Sequence, residues 1–248
     1  MPEPTLADRG PLWVILPTYN ELGNIGAMVE ALGPKLNLAG GDRILIVDDN
    51  SPDGTGELAD EIAEKNSSVE VLHRQAKEGL GPAYIHGFKV ALAGGAGLIV
   101  QMDADFSHDP DYLPRLIAAS EEADLVIGSR YVPGGGITEW GTVRRVLSRG
   151  GSLYSRTILG TDIKDMTGGF KCFHRRVLEA IPLDEVAASG YSFQVEMTYR
   201  VIKAGFSVIE VPITFRERQA GASKMSRAIV VEAAWKVPAM RFGKNRPG

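Results

Sequence analysis

Leu98-Ile99-Val100-Gln101-Met102-Asp103-Ala104-Asp105 is the stretch that decides how this chain folds. A short, largely apolar run reads as a buried strand, and it ends in two carboxylates one residue apart. Both acids then project beyond the strand's C-terminal end, the edge of an open α/β sheet at which ligands bind. Two such carboxylates repel each other unless a cation sits between them, and hard divalent ions take oxygen ligands of this kind. Mg²⁺ bound there keeps open positions that substrate phosphates fill. The stretch predicts a metal-assisted site for a phosphorylated substrate. Its bland alternative is a solvated turn with Asp as a helix cap.

Reading outward, the first half of the chain alternates. Strand patterns at 12–16, 43–47, 69–73, 98–102 and 125–127 are separated by helical patterns at about 21–38, 53–65, 80–93 and 111–119. Short apolar strands alternating with helices of this length predict a parallel, doubly wound α/β sheet with helices on both faces. After Gly128 the rhythm breaks. Pro133-Gly134-Gly135-Gly136 reads as a loop, 143–159 and 192–204 as helices, and 168–173 and 207–212 as further strands, with 213–216 extending the last. Residues 219–223 are small and polar, a mobile-loop pattern, and a final helix is expected from about Met225 to near Pro238.

The composition, 44% hydrophobic and 23% charged, is that of a globular protein. A single cysteine, Cys172, excludes an internal disulfide and suits a reducing compartment. The first ten residues have no apolar core, and no apolar run reaches the roughly 18 residues that span a bilayer, so neither signal peptide nor transmembrane helix is read. The net charge of −4 divides unevenly: six bases and one acid from Lys224 onward give +5, leaving −9 before it. An acidic body argues against nucleic acid as a partner, whereas a basic tail suits an anionic membrane surface.

The other strand exits carry their own chemistry. Pro17-Thr18-Tyr19-Asn20-Glu21 follows the first strand: Pro17 ends it, Tyr19 offers a flat face to a base, Asn20 suits a helix cap, and Glu21 can accept a base N–H. Asp49, in Asp48-Asp49-Asn50-Ser51, can accept hydrogen bonds from a ribose or base. Gly54-Thr55-Gly56-Glu57-Leu58-Ala59 matches the dinucleotide fingerprint only superficially. It lies past the strand end, and Asp48, Asp49 and Asp53 repel the phosphates it would cradle, so its glycines read as turn residues. Arg130, in Gly128-Ser129-Arg130-Tyr131, and Arg144 and Arg145 beyond it suit phosphate oxygens, with surface salt bridges as the competing reading. Arg216, Arg218 and Lys224 bracket the mobile loop, as in a lid that closes over a diphosphate, or else are solvated charges. The four histidines show no paired metal spacing, and neither a phosphate-binding loop nor a nucleophile elbow is present.

In order and spacing, Leu16-Pro17-Thr18-Tyr19-Asn20-Glu21, Val47-Asp48-Asp49-Asn50-Ser51-Pro52-Asp53-Gly54-Thr55, Met102-Asp103-Ala104-Asp105, Gly128-Ser129-Arg130-Tyr131 and Gly221-Ala222-Ser223-Lys224-Met225 resemble the inverting family 2 glycosyltransferases of the GT-A fold. Asp165-Met166-Thr167-Gly168-Gly169-Phe170 and Gly190-Tyr191-Ser192-Phe193-Gln194 narrow the resemblance to the dolichol-phosphate mannosyltransferase group. The resemblance implies one GT-A nucleotide-diphospho-sugar transferase domain over 1–248, with an open, mostly parallel, Rossmann-like sheet. It comprises a nucleotide-binding half at about 12–130, an acceptor half and lid at about 131–224, and a C-terminal helix with a basic tail at about 225–248.

It also implies a metal-dependent mannosyltransferase that uses Mg²⁺ or Mn²⁺ and transfers mannose from GDP-mannose to a polyprenyl phosphate lipid. Pro17, Tyr19, Glu21, Val47 and Asp49 would hold the guanosine. Asp103, Ala104 and Asp105 would flank the sugar diphosphate, with Asp105 the main metal ligand. Ser107 stands where the archaeal type of the family has glutamine, a weaker ligand that leaves room for water. Arg130 and Arg144 match acceptor-phosphate positions, Arg218 and Lys224 the lid over the donor, and Gln194 a sugar-pocket position. The expected setting is cytoplasmic and peripheral to the membrane, reached through the C-terminal segment or a membrane-embedded partner chain. Two rivals remain at this point: a transferase of the same fold using a UDP-sugar, and a catalytically silent nucleotide-binding module.

Overall fold

The elements are arranged in three layers, seen in a computed structural model that describes residues 9–138, 141–186, 190–216 and 227–242. The strands are Leu12–Thr18 (β1), Arg43–Asp48 (β2), Val69–His73 (β3), Leu98–Gln101 (β4), Leu125–Ser129 (β5), Gly136–Ile137 (β6), Lys171–His174 (β7), Val208–Pro212 (β8) and Thr214–Phe215 (β9). Seven form one sheet in the order β3-β2-β1-β4-β7-β5-β8, while β6 and β9 pair separately. β7 runs antiparallel to both β4 and β5, and the other pairings of the large sheet are parallel. The strand order reverses direction at β1 and β4. A cleft opens there, because successive crossovers leave toward opposite faces.

The helices are Ile25–Leu32 (α1), Thr55–Lys65 (α2), Leu80–Ala93 (α3), Leu113–Ala119 (α4), Thr142–Leu159 (α5), Arg175–Ala180 (α6), Gly190–Lys203 (α7) and Arg227–Phe242 (α8). Side chains alternate across a strand, so the continuous apolar runs of β1 and β2 serve two cores at once. Leu12, Val14, Leu16, Ile44 and Ile46 pack with Ile25, Met28, Leu32, Leu113 and Leu116 on one face. Trp13, Ile15, Leu45 and Val47 pack with Tyr84, Phe88, Val177, Phe193 and Met197 on the other.

Three differences from the sequence pattern have local causes. α1 begins at Ile25 because Asn20 adopts a left-handed φ of 60° and Glu21–Asn24 form a turn, so Asn20 does not cap it. A 3-10 turn at Gly33–Lys35 follows α1, where Pro34 fixes its own φ and offers no N–H. α8 runs through Pro238 to Phe242. Val237 and Met240 pack with Leu159, Met166 and Val195, and Arg241 Nη1 donates to the Ile158 carbonyl at 2.7 Å. That tertiary packing overrides the helix-breaking residue.

Sheet and helix approach closely at Gly87 of α3, where a Cβ would stand 2.7 Å from Ile15 Cγ2 and 3.2 Å from Val47 Cγ2. Gly87→Val is expected to destabilise the protein by about 1–3 kcal/mol through overpacking, read by urea denaturation. Gly26→Ala on α1, where a Cβ meets nothing within 4 Å, is expected to stabilise it by about 0.5–1 kcal/mol.

Candidate active site

The exits of β1, β2 and β4 converge on the cleft at the strand-order switch. Pro17, Thr18, Tyr19 and Glu21 line it from β1, Asp49 from β2, and Asp103, Ala104 and Asp105 from β4, with Lys77, Gly79, Leu80 and Ala83 closing the side. Open solvent at its mouth included, its empty space is about 530 Å³. Among the described residues, three non-glycine residues have positive φ, and all lie at this edge: Asn20 after β1, Asn50 after β2 and Phe106 after β4. Asn tolerates the left-handed region; Phe does so at a cost, and such residues gather where a backbone must be turned sharply for function. The kink at Phe106 turns the chain back, so that the Ser107 N–H donates to Asp105 Oδ1 at 3.0 Å.

The carboxylate pair is anchored unequally. Asp105 is buried, while Asp103 is partly open and accepts from the Tyr84 hydroxyl at 3.2 Å. Burial first, and then the charge of Asp103, pushes the Tyr84 phenol well above its usual range, so it stays a donor. His108 lies behind the pair, 2% exposed, its ring against Phe170 and Phe215. Its Nδ1 accepts the Asp103 N–H at 3.1 Å. Burial holds the imidazole below its ordinary pKa despite the nearby carboxylates, so the ring is neutral and its hydrogen resides on Nε2.

The donor set suits a hard divalent ion. No group of three or more His, Cys, Asp or Glu side chains comes together among the described residues, so a metal here would rest on two carboxylates plus other oxygens. Ser107 provides one: its Oγ is fully buried and makes no hydrogen bond to a described residue. Two carboxylates, a hydroxyl and positions left to phosphate and water match the way Mg²⁺ is held at phosphate-transfer sites.

The base side of the cleft contains residues that the sequence reading passed over. Arg74, 7% exposed, pairs through Nη1 with Asp49 and through Nη2 with Glu78, and its Nε donates to His86 Nδ1 at 3.1 Å. Burial raises the Asp49 carboxyl above its usual range, and the charge and hydrogen bond of Arg74 oppose that rise. Lys77 Nζ sits 3.5 Å from the centroid of the Tyr19 ring, on a face expected to receive a base, so stacking there requires Lys77 to move. Glu21 Oε2 accepts from Asn24 Nδ2 at 2.7 Å. Val47 is fully buried in the core, and its side chain does not line the cleft.

At the exit of β5, Arg130 is only 5% exposed and is gripped by Asp165. Its Nε and Nη2 donate to the two carboxylate oxygens at 2.7 Å each, its backbone N–H to Oδ2 at 2.9 Å, and Nη2 also to Thr167 Oγ1 at 2.8 Å. Burial alone would raise the Asp165 carboxyl; the charge and hydrogen bonds of Arg130 reverse this and hold it below its usual range. Arg144 lies in the first turn of α5. Gln194 lies in a buried polar cluster, where its Oε1 accepts from Gln101 Nε2 at 2.6 Å and from Lys171 Nζ at 3.0 Å. Lys171 is fully buried, and desolvation pushes its pKa down to about 7 against the pull of Asp165. Arg218 and Lys224 fall outside the described residues.

A cleft at the switch point of an α/β sheet is where such folds take their ligands, and two carboxylates at its floor with buried arginines beside it suit phosphate chemistry. Residues 13–181 match the family model for glycosyl transferase family 2, and the chain belongs to that family. It is 49% identical over 219 residues to an undecaprenyl-phosphate mannosyltransferase of Micrococcus luteus, covering 88% of this chain and 89% of the relative. It is 50% identical over 226 residues to a polyprenol monophosphomannose synthase of Mycolicibacterium smegmatis, covering 90% and 84%. Among solved structures, the mannosyl-3-phosphoglycerate synthase of Rubrobacter xylanophilus superposes with a TM-score of 0.67 at 21% identity, over 96% of this chain and 77% of that one. The glucosyl-3-phosphoglycerate synthase of Mycobacterium tuberculosis, in complex with Mn²⁺, UDP-glucose and glycerol 3-phosphate, gives 0.64 at 20% identity, over 97% and 84%. Both likenesses establish the fold.

Asp165→Ala leaves the Arg130 guanidinium buried without its counter-charge. The expected loss is about 3–5 kcal/mol of stability, measured by chemical denaturation.

Proposed function

We propose that this protein transfers mannose from GDP-mannose to a polyprenyl phosphate, inverting the anomeric carbon to give polyprenyl phosphomannose. The observation that carries the reading is half-identity, along nearly nine-tenths of the chain, to two relatives named for mannosyl transfer to a polyprenyl phosphate. The cleft fits a sugar nucleotide. Pro17 and Tyr19 offer apolar surface to the base, and Glu21 and Asp49 offer acceptors to base or ribose N–H and O–H groups. Arg74 opposes the rise that burial imposes on the Asp49 carboxyl. Asp103 and Asp105, with Ser107, would hold Mg²⁺ or Mn²⁺, which supplies positive charge to the diphosphate as it leaves. Arg218 and Lys224 are assigned to the cover over the donor.

The acceptor needs no protein base, because a polyprenyl phosphate is already anionic near neutral pH. What it needs is orientation, and Arg130 and Arg144 are assigned to it. The grip of Asp165 fixes the plane of the Arg130 guanidinium before any ligand arrives. Preorganised charge of this kind costs no rearrangement during reaction.

The lipid must also be reached. No helix among the described residues is long and apolar enough to cross a membrane. α5 instead exposes Val146, Leu147, Leu153 and Tyr154, whose spacing of one, seven and eight residues places them on one helix face. Arg145, Arg149 and Arg156 flank that face, and α5 contains four arginines and no acid in a chain of net charge −4. Trp235 and Phe242 on the neighbouring α8 are exposed as well. An apolar face bordered by cations suits an anionic bilayer surface, and Arg144 begins the same helix.

Incubation with radiolabelled GDP-mannose and polyprenyl phosphate in liposomes is expected to move label into a mild-acid-labile lipid. Asp105→Ala should lower that transfer by about 10²-fold or more while the melting temperature stays put. Wild-type turnover in the variant would remove Asp105 from the site. Leu153→Asp is expected to abolish flotation with anionic liposomes while GDP binding persists; unchanged flotation would move membrane contact away from α5.

A further inference from the structure

A buried guanidinium backs the base side of the cleft without lining it. Asp49 faces the cleft, whereas Arg74 faces a second hollow between β3 and α3, among Leu72, His73, Glu78 and His86. The ion pair of Asp49 and Arg74 is the partition between the two spaces. Arg74 Nη1 donates to Asp49 Oδ1, Nη2 to Glu78 Oε2, and Nε to His86 Nδ1 at 3.1 Å. The chain around them is stitched together as well. The Arg74 N–H donates to the Asp48 carbonyl at 2.8 Å, and Asn50 Nδ2 to the Gln75 carbonyl at 3.3 Å. Gly79, whose φ of 103° suits glycine, ends the loop before α3 and turns its N–H onto the Asp49 carboxyl.

The two acids on Arg74 are not equivalent. The Asp49 side chain is 6% exposed and that of Glu78 61%. Water screens the outer pair, which is worth little, while the inner pair interacts at low dielectric. The charge of Arg74 therefore acts chiefly on Asp49.

Asp49 depends on that charge. An ionised carboxylate offers acceptors alone, whereas a protonated one presents an O–H to any base N–H it should receive. Burial, and then the neighbouring Asp48, push its carboxyl up; Arg74 and the Gly79 N–H push it down. Among the other charges of the cleft, Glu21, Asp103 and Asp105 act in the same sense as Asp48, and Lys77 opposes them. His86 lies on the far side of Arg74, in the second hollow.

We propose that Arg74 is a positioning residue for the nucleotide base: it touches no ligand, but fixes Asp49 in place and keeps it a hydrogen-bond acceptor on the cleft wall. This rests on the sugar-nucleotide reading given above. Without Arg74 the burial of Asp49 loses its main opponent. The carboxyl then takes up a proton at a higher pH, and base binding is lost sooner as the pH falls.

Calorimetric titration of GDP-mannose with Mn²⁺ at about pH 5 and about pH 8 tests this, because the phosphates of that ligand stay ionised throughout. Measured against the wild type at each pH, Arg74→Met is expected to lose about fivefold more affinity at the lower pH than at the higher. Arg74→Gln repeats the test should the methionine variant not fold. Arg74→Lys keeps a cation, so its losses at the two pH values should agree within about twofold. In an Asp49→Asn background, Arg74→Met should add less than about twofold at either pH, since the carboxylate it serves is gone. An arginine that only stabilises the fold would weaken binding equally at both pH values, and that result overturns the proposal. So does a pH-dependent loss that persists in the Asp49→Asn background or is as large in Arg74→Lys. Should the wild type bind UDP-glucose in place of GDP-mannose, the donor assignment falls, and Arg74 is judged on UDP-glucose by the same ratio.

Discussion

The buried pair of Arg130 and Asp165 is the constraint on which the β7–β5–β8 end of this sheet depends. Asp165 sits in the loop that feeds β7, and Arg130 ends β5, so their three direct bonds tie the exit of one strand to the entrance of the next. Thr167 joins through Arg130 Nη2, and Ser152 Oγ lies 3.2 Å from Thr167 Oγ1, which extends the tie to α5. On the other side Glu210 of β8 accepts from the Lys164 and Asp165 N–H groups at 2.8 Å each. Desolvating two charges is expensive, and such pairs seldom add net stability over an apolar pair. What this one provides is position: a guanidinium with a fixed plane at the ligand-binding edge of the sheet, the edge at which the proposed function places the acceptor phosphate.

That fixed edge matters because β7 is the only strand of the large sheet, among the described residues, that starts there instead of ending there. Parallel strands bring their C-terminal loops to one side, and β7 brings its N-terminal loop, with Thr167, Gly168 and Gly169, to the same side. Glycine at these positions lets the loop lie close to the neighbouring strands: a Cβ on Gly168 would stand 3.2 Å from the Gly128 carbonyl oxygen. The carboxylates after β4 and Arg130 after β5 are thereby separated by a single strand, whose entrance is built of two glycines.

Local pattern made much of this legible. The apolar runs of β1 to β5, the acids after β2 and β4, and the helices between them follow from period and turn chemistry, because each depends on residues close in sequence. Gly54 reads correctly as a turn residue, with φ 93°, whereas Gly56, read the same way, lies in the first turn of α2, where Asp48 stands 3.1 Å from a Cβ built on it. What sequence patterns cannot reveal is pairing at long range. Asp49 finds Arg74 25 residues on, Arg130 finds Asp165 35 residues on, and Gln101 finds Gln194 93 residues on. The antiparallel direction of β7 was hidden for the same reason: a four-residue strand flanked by loops carries no mark of its orientation. Lys171 carried a signal that could have been read, since a lysine in an apolar strand pattern contradicts burial unless it has partners.

Such contradictions are informative because of where they fall. Gln101 and Lys171 are opposite one another in the β4·β7 register, and both are fully buried in the middle of the sheet. A core built for stability alone would put Val or Ile there, with no desolvation cost and no need for Gln194 to answer them. Instead three polar side chains on β4, β7 and α7 bond one another, and Gln101 Oε1 has no partner among the described residues. Low dielectric strengthens each bond in such a cluster and makes each missing partner costly, so its members hold one arrangement. A rigid polar layer at the entrance of β7 sets the direction of a single amide, that of Gln194. An apolar layer, however well packed, has no means of doing that.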